Sequence, residues 1–260
     1  RSGFPEGTVQ VAHGGKDVGA AFTAGKPDYI FFTGSVRTGK IIQQQAAKDL
    51  IPTTLELGGK DPMIVFEDAN LDRAVKAAAW GAFTNSGQVC MSAERLYVER
   101  QMYGKFLEKL KKEVNSLQQG NGINADVGSM TFPGQKDVVK AQLEEALERG
   151  AKLETGMKPS DWKGDMFLPL TVVTEVEQDM KIIQEESFGP LLPVVPFDTE
   201  EEAITLANGT VFGLNASVWT NDKDKARRVA SRLVSGAVVI NDVLITVANH
   251  GLPFGGTKES

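Results

Sequence analysis

The chain has 260 residues, a formal net charge of −6, 41% hydrophobic and 24% charged residues, enough for one large or two modest soluble domains. The negative balance gives no reason to expect nucleic acid or an anionic membrane as partner, and no apolar run approaches the ~20 residues of a membrane helix. A single cysteine, Cys90, excludes an internal disulfide and suits a reducing compartment, which makes the cytoplasm the default location.

Taken in order, residues 9–12 read as a short strand and residues 17–23 as helix-compatible. Tyr29-Ile30-Phe31-Phe32-Thr33 has the aromatic and β-branched content of a strand. It feeds a glycine turn from Gly34 to Gly39, a helical stretch over 40–50 and a strand over 53–57, which together predict a βαβ unit. A glycine turn that opens a helix offers N–H groups and a positive dipole end to an anion. The spacing is not G-x-G-x-x-G, however, and glycine serves turn geometry alone equally well.

The pattern restarts after Lys60 with a strand over 63–66. Capping residues Asp68 to Asp72 then lead into a helix over 71–83. Residues 95–99 predict a strand with Leu96 and Val98 alternating against charges. Phe106, Leu107, Leu110 and Val114 lie at helical spacing within 102–117. A loop over 120–128 and a helix over 135–149, closed by Gly150, follow. Strands are expected over 152–154, 168–173, 191–197, 214–219 and 237–241, with helices over 199–208 and 222–233 between them. This alternation predicts an α/β fold with a largely parallel sheet.

Two stretches carry candidate chemistry. In Asn85-Ser86-Gly87-Gln88-Val89-Cys90, small and polar residues lead up to the thiol, and Gly87 lets backbone come close to a reacting group. A lone cysteine is also commonly a small buried hydrophobe. Upstream, Thr54-Leu55-Glu56-Leu57-Gly58-Gly59-Lys60 sets a carboxylate between leucines at a strand end. Desolvation there would raise Glu56 toward a general base's working range. Its plainer reading is an exposed residue of an alternating strand. His13 and His250 are isolated, and no metal-ligand spacing occurs.

Together these stretches resemble the aldehyde dehydrogenase superfamily. Leu55-Glu56-Leu57-Gly58-Gly59-Lys60 is similar to its glutamate motif and Phe83 to Cys90 to its cysteine motif. Phe32-Thr33-Gly34-Ser35, Glu185-Glu186-Ser187-Phe188-Gly189-Pro190 and Leu252-Pro253-Phe254-Gly255-Gly256 fall in the family's order. Ser92 departs from the residues more usual there. The resemblance implies part of a Rossmann-like cofactor domain over 1–58 and a parallel-sheet α/β catalytic domain over 59–260. It also implies that the chain is an internal fragment, lacking the N-terminal part of the cofactor domain and a C-terminal tail.

The same resemblance implies a NAD or NADP cofactor, with Gly34 and Ser35 beside its pyrophosphate. Further cofactor contacts follow at Gly39, Leu57, Gly58, Glu186 (the ribose) and Phe188 (the ring). Cys90 would attack an aldehyde, and Glu56 would activate the water that hydrolyses the resulting thioester. The implied partner is a small-molecule aldehyde, in a homodimer or homotetramer, with no nucleic acid, membrane or metal. Three alternatives stay open: an inactive fragment or scaffold of the same fold, an acylating relative that passes the thioester to coenzyme A, and a cysteine hydrolase, which would need a histidine base that neither His13 nor His250 supplies in a suggestive motif.

Overall fold

A computed structural model describes residues 3–164 and 166–260; Arg1, Ser2 and Asp165 lie outside the described residues. The chain divides after Leu57 into two units, one residue before the boundary expected from sequence. Gly58 goes with the second unit because its Cα backs directly onto the Glu186 carboxylate.

In the first unit, α1 (Lys16–Ala24) precedes β1 (Ile30–Thr33), α2 (Val36–Ala47) and β2 (Thr53–Glu56). The two strands pair in parallel, Ile30 opposite Thr53 and Thr33 opposite Glu56, and α2 is the crossover between them. This helix opens earlier than expected. The Ser35 hydroxyl accepts the Thr38 N–H at 3.4 Å, so Ser35 is the N-cap and the turn shrinks to Gly34 alone. The strand expected over 9–12 is irregular backbone, with Val9 and Val11 largely exposed. Among the described residues no neighbouring strand takes up its hydrogen bonds, and an isolated strand has nothing else to bond to.

The second unit is built on a seven-stranded sheet. Its elements in chain order are β3 (Asp61–Val65), α3 (Leu71–Phe83), β4 (Ala93–Glu99), α4 (Arg100–Ser116), α5 (Pro133–Glu148), β5 (Lys152–Leu153), β6 (Thr171–Thr174), α6 (Lys181–Gln184), β7 (Leu191–Phe197), α7 (Glu200–Asn208), β8 (Asn215–Trp219), α8 (Lys223–Ala230) and β9 (Ala237–Ile240). The spatial order is β5-β6-β7-β4-β3-β8-β9, and every pairing is parallel except β5 with β6. Parallel neighbours require crossovers, and the amphipathic stretches supply them. Asn70, Thr199 and Asp222 cap α3, α7 and α8 by accepting backbone N–H groups, as their residue types favour.

Helices cover both faces of this sheet. Met63, Val65 and Leu96 pack with Ala78, Phe83, Phe106 and Leu110 of α3 and α4. Ile64, Tyr97 and Val218 pack on the other face with Ile204 and Val229 of α7 and α8. Burying side chains of this size contributes about 1.5–3 kcal/mol each. The double cover corrects one expectation. Arg95 was placed on a polar face of its strand, yet it is buried, its guanidinium donating to the carbonyls of Lys60 (2.7 Å), Leu206 (3.1 Å) and Ala207 (2.8 Å). In a parallel sheet with two packed faces, alternation no longer marks a solvent side.

The candidate residues of this unit share one edge. Gly58 to Lys60 precede β3, Cys90 precedes β4, and Glu186 to Gly189 precede β7, so all lie at the amino ends of parallel strands. Among the described residues no helix is long and apolar enough to cross a membrane, and no group of three or more His, Cys, Asp or Glu side chains is placed to hold a metal.

Candidate active site

The approach to Cys90 is a 3-10 turn, Thr84–Gly87, that leaves ordinary backbone space. Asn85 and Ser86 have φ of 53° and 58°, and Gly87 follows at 72°. Three successive left-handed residues need external support, because only glycine adopts this region without cost. Gln88 provides much of it. Its amide nitrogen donates to the Asn85 carbonyl at 2.8 Å, while its amide oxygen accepts the backbone and side-chain donors of Thr131, both at 2.8 Å. Asn85 returns a bond to the Gln88 carbonyl at 3.1 Å, and the Ser86 hydroxyl donates to Gly128 at 2.6 Å. A side chain at Gly87 would collide with the Gly189 carbonyl, so the cysteine turn and the 186–189 turn meet backbone to backbone.

Gly59 joins the same two turns from the other side. Its N–H donates to the Glu186 carboxylate at 3.1 Å, and a β-carbon on it would strike the Cys90 carbonyl. Gly58, Gly59, Cys90 and Glu186 are thereby gathered around one point.

Burial pushes the half-buried Cys90 thiol up, and nearby Asp61 and Glu186 add to the effect. Backbone N–H groups of Met91 and Cys90 oppose it without overcoming it. The resting cysteine is therefore a thiol that needs a base, not a standing thiolate. Asp61 is itself held well above the usual carboxylate range by burial, and its Oδ2 has no hydrogen-bond partner. Glu186 is pushed up to about 7, first by burial and then by the negative charge of Glu94, against the Gly59 N–H and Lys60.

Behind Glu186 lies a buried ion pair that the sequence reading did not single out. Lys60 is 0% and Glu94 3% exposed, with Nζ 2.7 Å from Oε2. Glu94 also accepts the backbone N–H of Ser187 at 2.7 Å and of Phe188 at 2.8 Å. Lys60 donates to the Ser187 hydroxyl at 2.8 Å, and that hydroxyl donates to Gln142 at 2.6 Å. Gln142 in turn donates to the Glu186 carbonyl at 3.1 Å, and Gln135 to the Ser187 carbonyl at 2.7 Å. The available sequence signal was a pair of opposite charges at each strand start, Lys60-Asp61 and Glu94-Arg95.

The remaining predicted residues belong to the first unit. Glu56 ends β2, half-buried, and burial raises its carboxyl above the ordinary range. Gly34 follows β1, but its N–H is committed to the Glu56 carbonyl at 3.1 Å and its Cα face to the Phe32 ring. Ser35 caps α2. Gly39 corrects the expected turn: it lies inside α2, where a β-carbon would come within 2.6 Å of the buried Leu57 side chain. Gly39 and Leu57 thus pack against each other. On these contacts Gly34 and Gly39 have packing reasons to be glycine, whereas the start of α2 at Ser35 retains the geometry of an anion site.

Comparison with known proteins identifies the family. A sequence model described as the aldehyde dehydrogenase family matches residues 1–260. The chain is 48% identical over 257 residues to a 4,4'-diapolycopene aldehyde oxidase of Methylomonas sp, covering 99% of this chain and 48% of the relative. It is 41% identical over 266 residues to betaine aldehyde dehydrogenase of Bacillus subtilis, covering all of this chain and 54% of that protein. Among solved structures, betaine aldehyde dehydrogenase of Staphylococcus aureus in complex with NAD+ superposes with a TM-score of 0.91 at 36% identity, over 99% of this chain and 52% of its own. An NADP-dependent enzyme of E. coli gives the same TM-score and identity over 96% of this chain and 52% of that one. The chain spans about half the length of the curated relatives it matches. With the family model matched from the first residue to the last, the chain belongs to the aldehyde dehydrogenase family.

Proposed function

We propose that a full-length protein carrying this chain oxidises an aldehyde to a carboxylic acid with NAD+ or NADP+, through a covalent adduct on Cys90. The observation that carries this reading is the gathering of Cys90, Gly59 and Glu186 at the amino edge of the sheet, with the thiol neutral at rest. Cys90 gives up its proton to solvent and forms a C–S bond to the carbonyl carbon as the C=O π pair moves to oxygen, and the oxyanion so formed draws on backbone donors such as the Cys90 N–H. When bound, the nicotinamide supplies the acceptor for the hydride that leaves the same carbon. A thioester then remains on Cys90. Glu56, whose carboxyl burial raises above the ordinary range, takes a proton from the water that hydrolyses it.

The residues present fit a dinucleotide. Glu186 is a half-buried carboxylate able to accept a pair of ribose hydroxyls, Phe188 adjoins it, and the Ser35-capped start of α2 suits a pyrophosphate. By name, the Methylomonas relative acts on 4,4'-diapolycopene aldehyde and the Bacillus subtilis and Staphylococcus aureus enzymes on betaine aldehyde; we assign only the aldehyde class to this chain. The proposal extends to a cytoplasmic homodimer or homotetramer, which the family resemblance and the lone cysteine support.

The test separates the two halves of the cycle. Cys90→Ala should abolish turnover and leave cofactor binding intact. Glu56→Gln should give a burst of at most one equivalent of NADH per site, then turnover slowed about 10²–10⁴-fold, with an acyl adduct on the Cys90 peptide visible by mass spectrometry. Near wild-type turnover of the alanine variant would end the assignment. A burst without an adduct would remove Glu56 from the hydrolytic step.

A further inference from the structure

The buried pair beneath the 186–189 turn has no part in the chemistry above, yet it is costly to maintain. Two opposite charges withdrawn from water are seldom more stable than apolar side chains of equal volume, so such a pair is weak evidence for stability and better evidence for a fixed geometry. What this pair fixes is specific. The two oxygens of Glu94 take two successive N–H groups, those of Ser187 and Phe188, immediately after Glu186. A neutral side chain at this place offers one acceptor oxygen; a carboxylate offers two. Lys60 orients that carboxylate from behind and holds the Ser187 hydroxyl as well.

The turn so held is strained. Phe188 has φ of 45°, a left-handed conformation that a bulky residue adopts only when its surroundings enforce it. Its N–H is one of the two on Glu94, so the enforcing group is identifiable. Release of that bond would free Phe188 to take an ordinary φ, and Glu186, two residues back on the same turn and bonded to the Gly59 N–H, would move with it.

We propose that Glu94, locked by Lys60, is the positioning residue for the Glu186 carboxylate, and that through it this pair governs cofactor binding and hydride transfer without touching substrate or cofactor. The proposal rests on the reading of Glu186 as the ribose acceptor.

A double-mutant cycle in a full-length enzyme containing this chain tests it. Hydride transfer is followed by single-turnover NADH formation, and thioester hydrolysis separately. Glu94→Gln should slow hydride transfer about 10- to 100-fold, the usual consequence of misplacing a reacting partner by about 1 Å, and raise the KM for NAD+. Hydrolysis should stay within about threefold, since a residue acting through Glu186 does not serve that step. In a Glu186→Gln background the same change should cost no more than about threefold further, because the group it positions is already gone. The paired variant Lys60→Met with Glu94→Gln removes both charges together and should show the same kinetic split if the single variant fails to fold.

Multiplicative losses in the double variant, equal losses in both steps, or unchanged hydride transfer in the paired variant would overturn the positioning role. An unchanged hydride-transfer rate in Glu186→Gln alone would instead remove the ribose reading, and this proposal with it.

Discussion

Two strained turns meet at the site, and they are held by opposite means. The turn before Cys90 is fixed by amides and hydroxyls: Gln88, Asn85, Ser86 and Thr131 supply its bonds with no charged side chain among them. The turn carrying Glu186 and Phe188 is fixed by a buried ion pair. A charge placed against the thiol would set its titration directly, so neutral groups suit the nucleophile. Of the two carboxyls near Cys90, Asp61 is kept well above the carboxylate range by burial and Glu186 is pushed up to about 7, so both stay protonated further up the pH scale than ordinary carboxyls. Away from the thiol a carboxylate has the advantage of two oxygens for two N–H groups.

The contrast is sharpest when each clamp is cut once. Lys60→Met leaves Glu94 buried without its counter-charge and should cost about 3–5 kcal/mol, read by chemical denaturation, well above the usual effect of a point change. A loss below about 1 kcal/mol would mean that the pair carries little of the turn. Gln88→Leu removes four neutral hydrogen bonds and should cost about 2 kcal/mol, since the freed Thr131, Asn85 and Ser129 groups can recruit solvent only in part. If Gln88→Leu proves the more damaging of the two, the comparison is reversed.

A smaller effect is carried by pH. Glu186 titrates at about 7 in the folded protein and in the ordinary carboxyl range when unfolded. The folded state then binds the extra proton, so this group's contribution is fully present below the unfolded value and is lost as pH rises toward and through about 7. Glu186→Gln should match wild type near pH 4.5 and gain about 1–2 kcal/mol on it by pH 8, a shift of a few degrees in Tm. A constant difference across that range would show that neither burial nor the charge of Glu94 raises Glu186.

Much of the architecture was legible because the physics is local. The run Ile30–Thr33, the spaced apolar residues of α4 and the capped start of α3 each carry their own signal. Residues 9–12 looked like a strand because propensity ignores whether a partner exists. The start of α2 was missed through reading Gly39 as turn chemistry, when Ser35 already offered a cap and Gly39 made room for Leu57. At the site, Cys90, Glu56 and Glu186 stood out by motif. Lys60 and Glu94 did not, because their meaning lies in a contact between two strand starts and in a sheet covered on both faces. The alternation rule reads charges in such a strand as facing water; here Glu94 faces two backbone N–H groups.

The placement of the site at the amino ends of β3, β4 and β7 has a consequence for how it breathes. Each site segment runs directly into a strand whose residues are largely buried and paired on both sides. None is a free-standing flap that can lift while the sheet stays intact. The amide hydrogens of Gly59, Ser187 and Phe188 should therefore exchange with deuterated solvent on the slow timescale of the central strands, through global opening of the unit instead of local fraying.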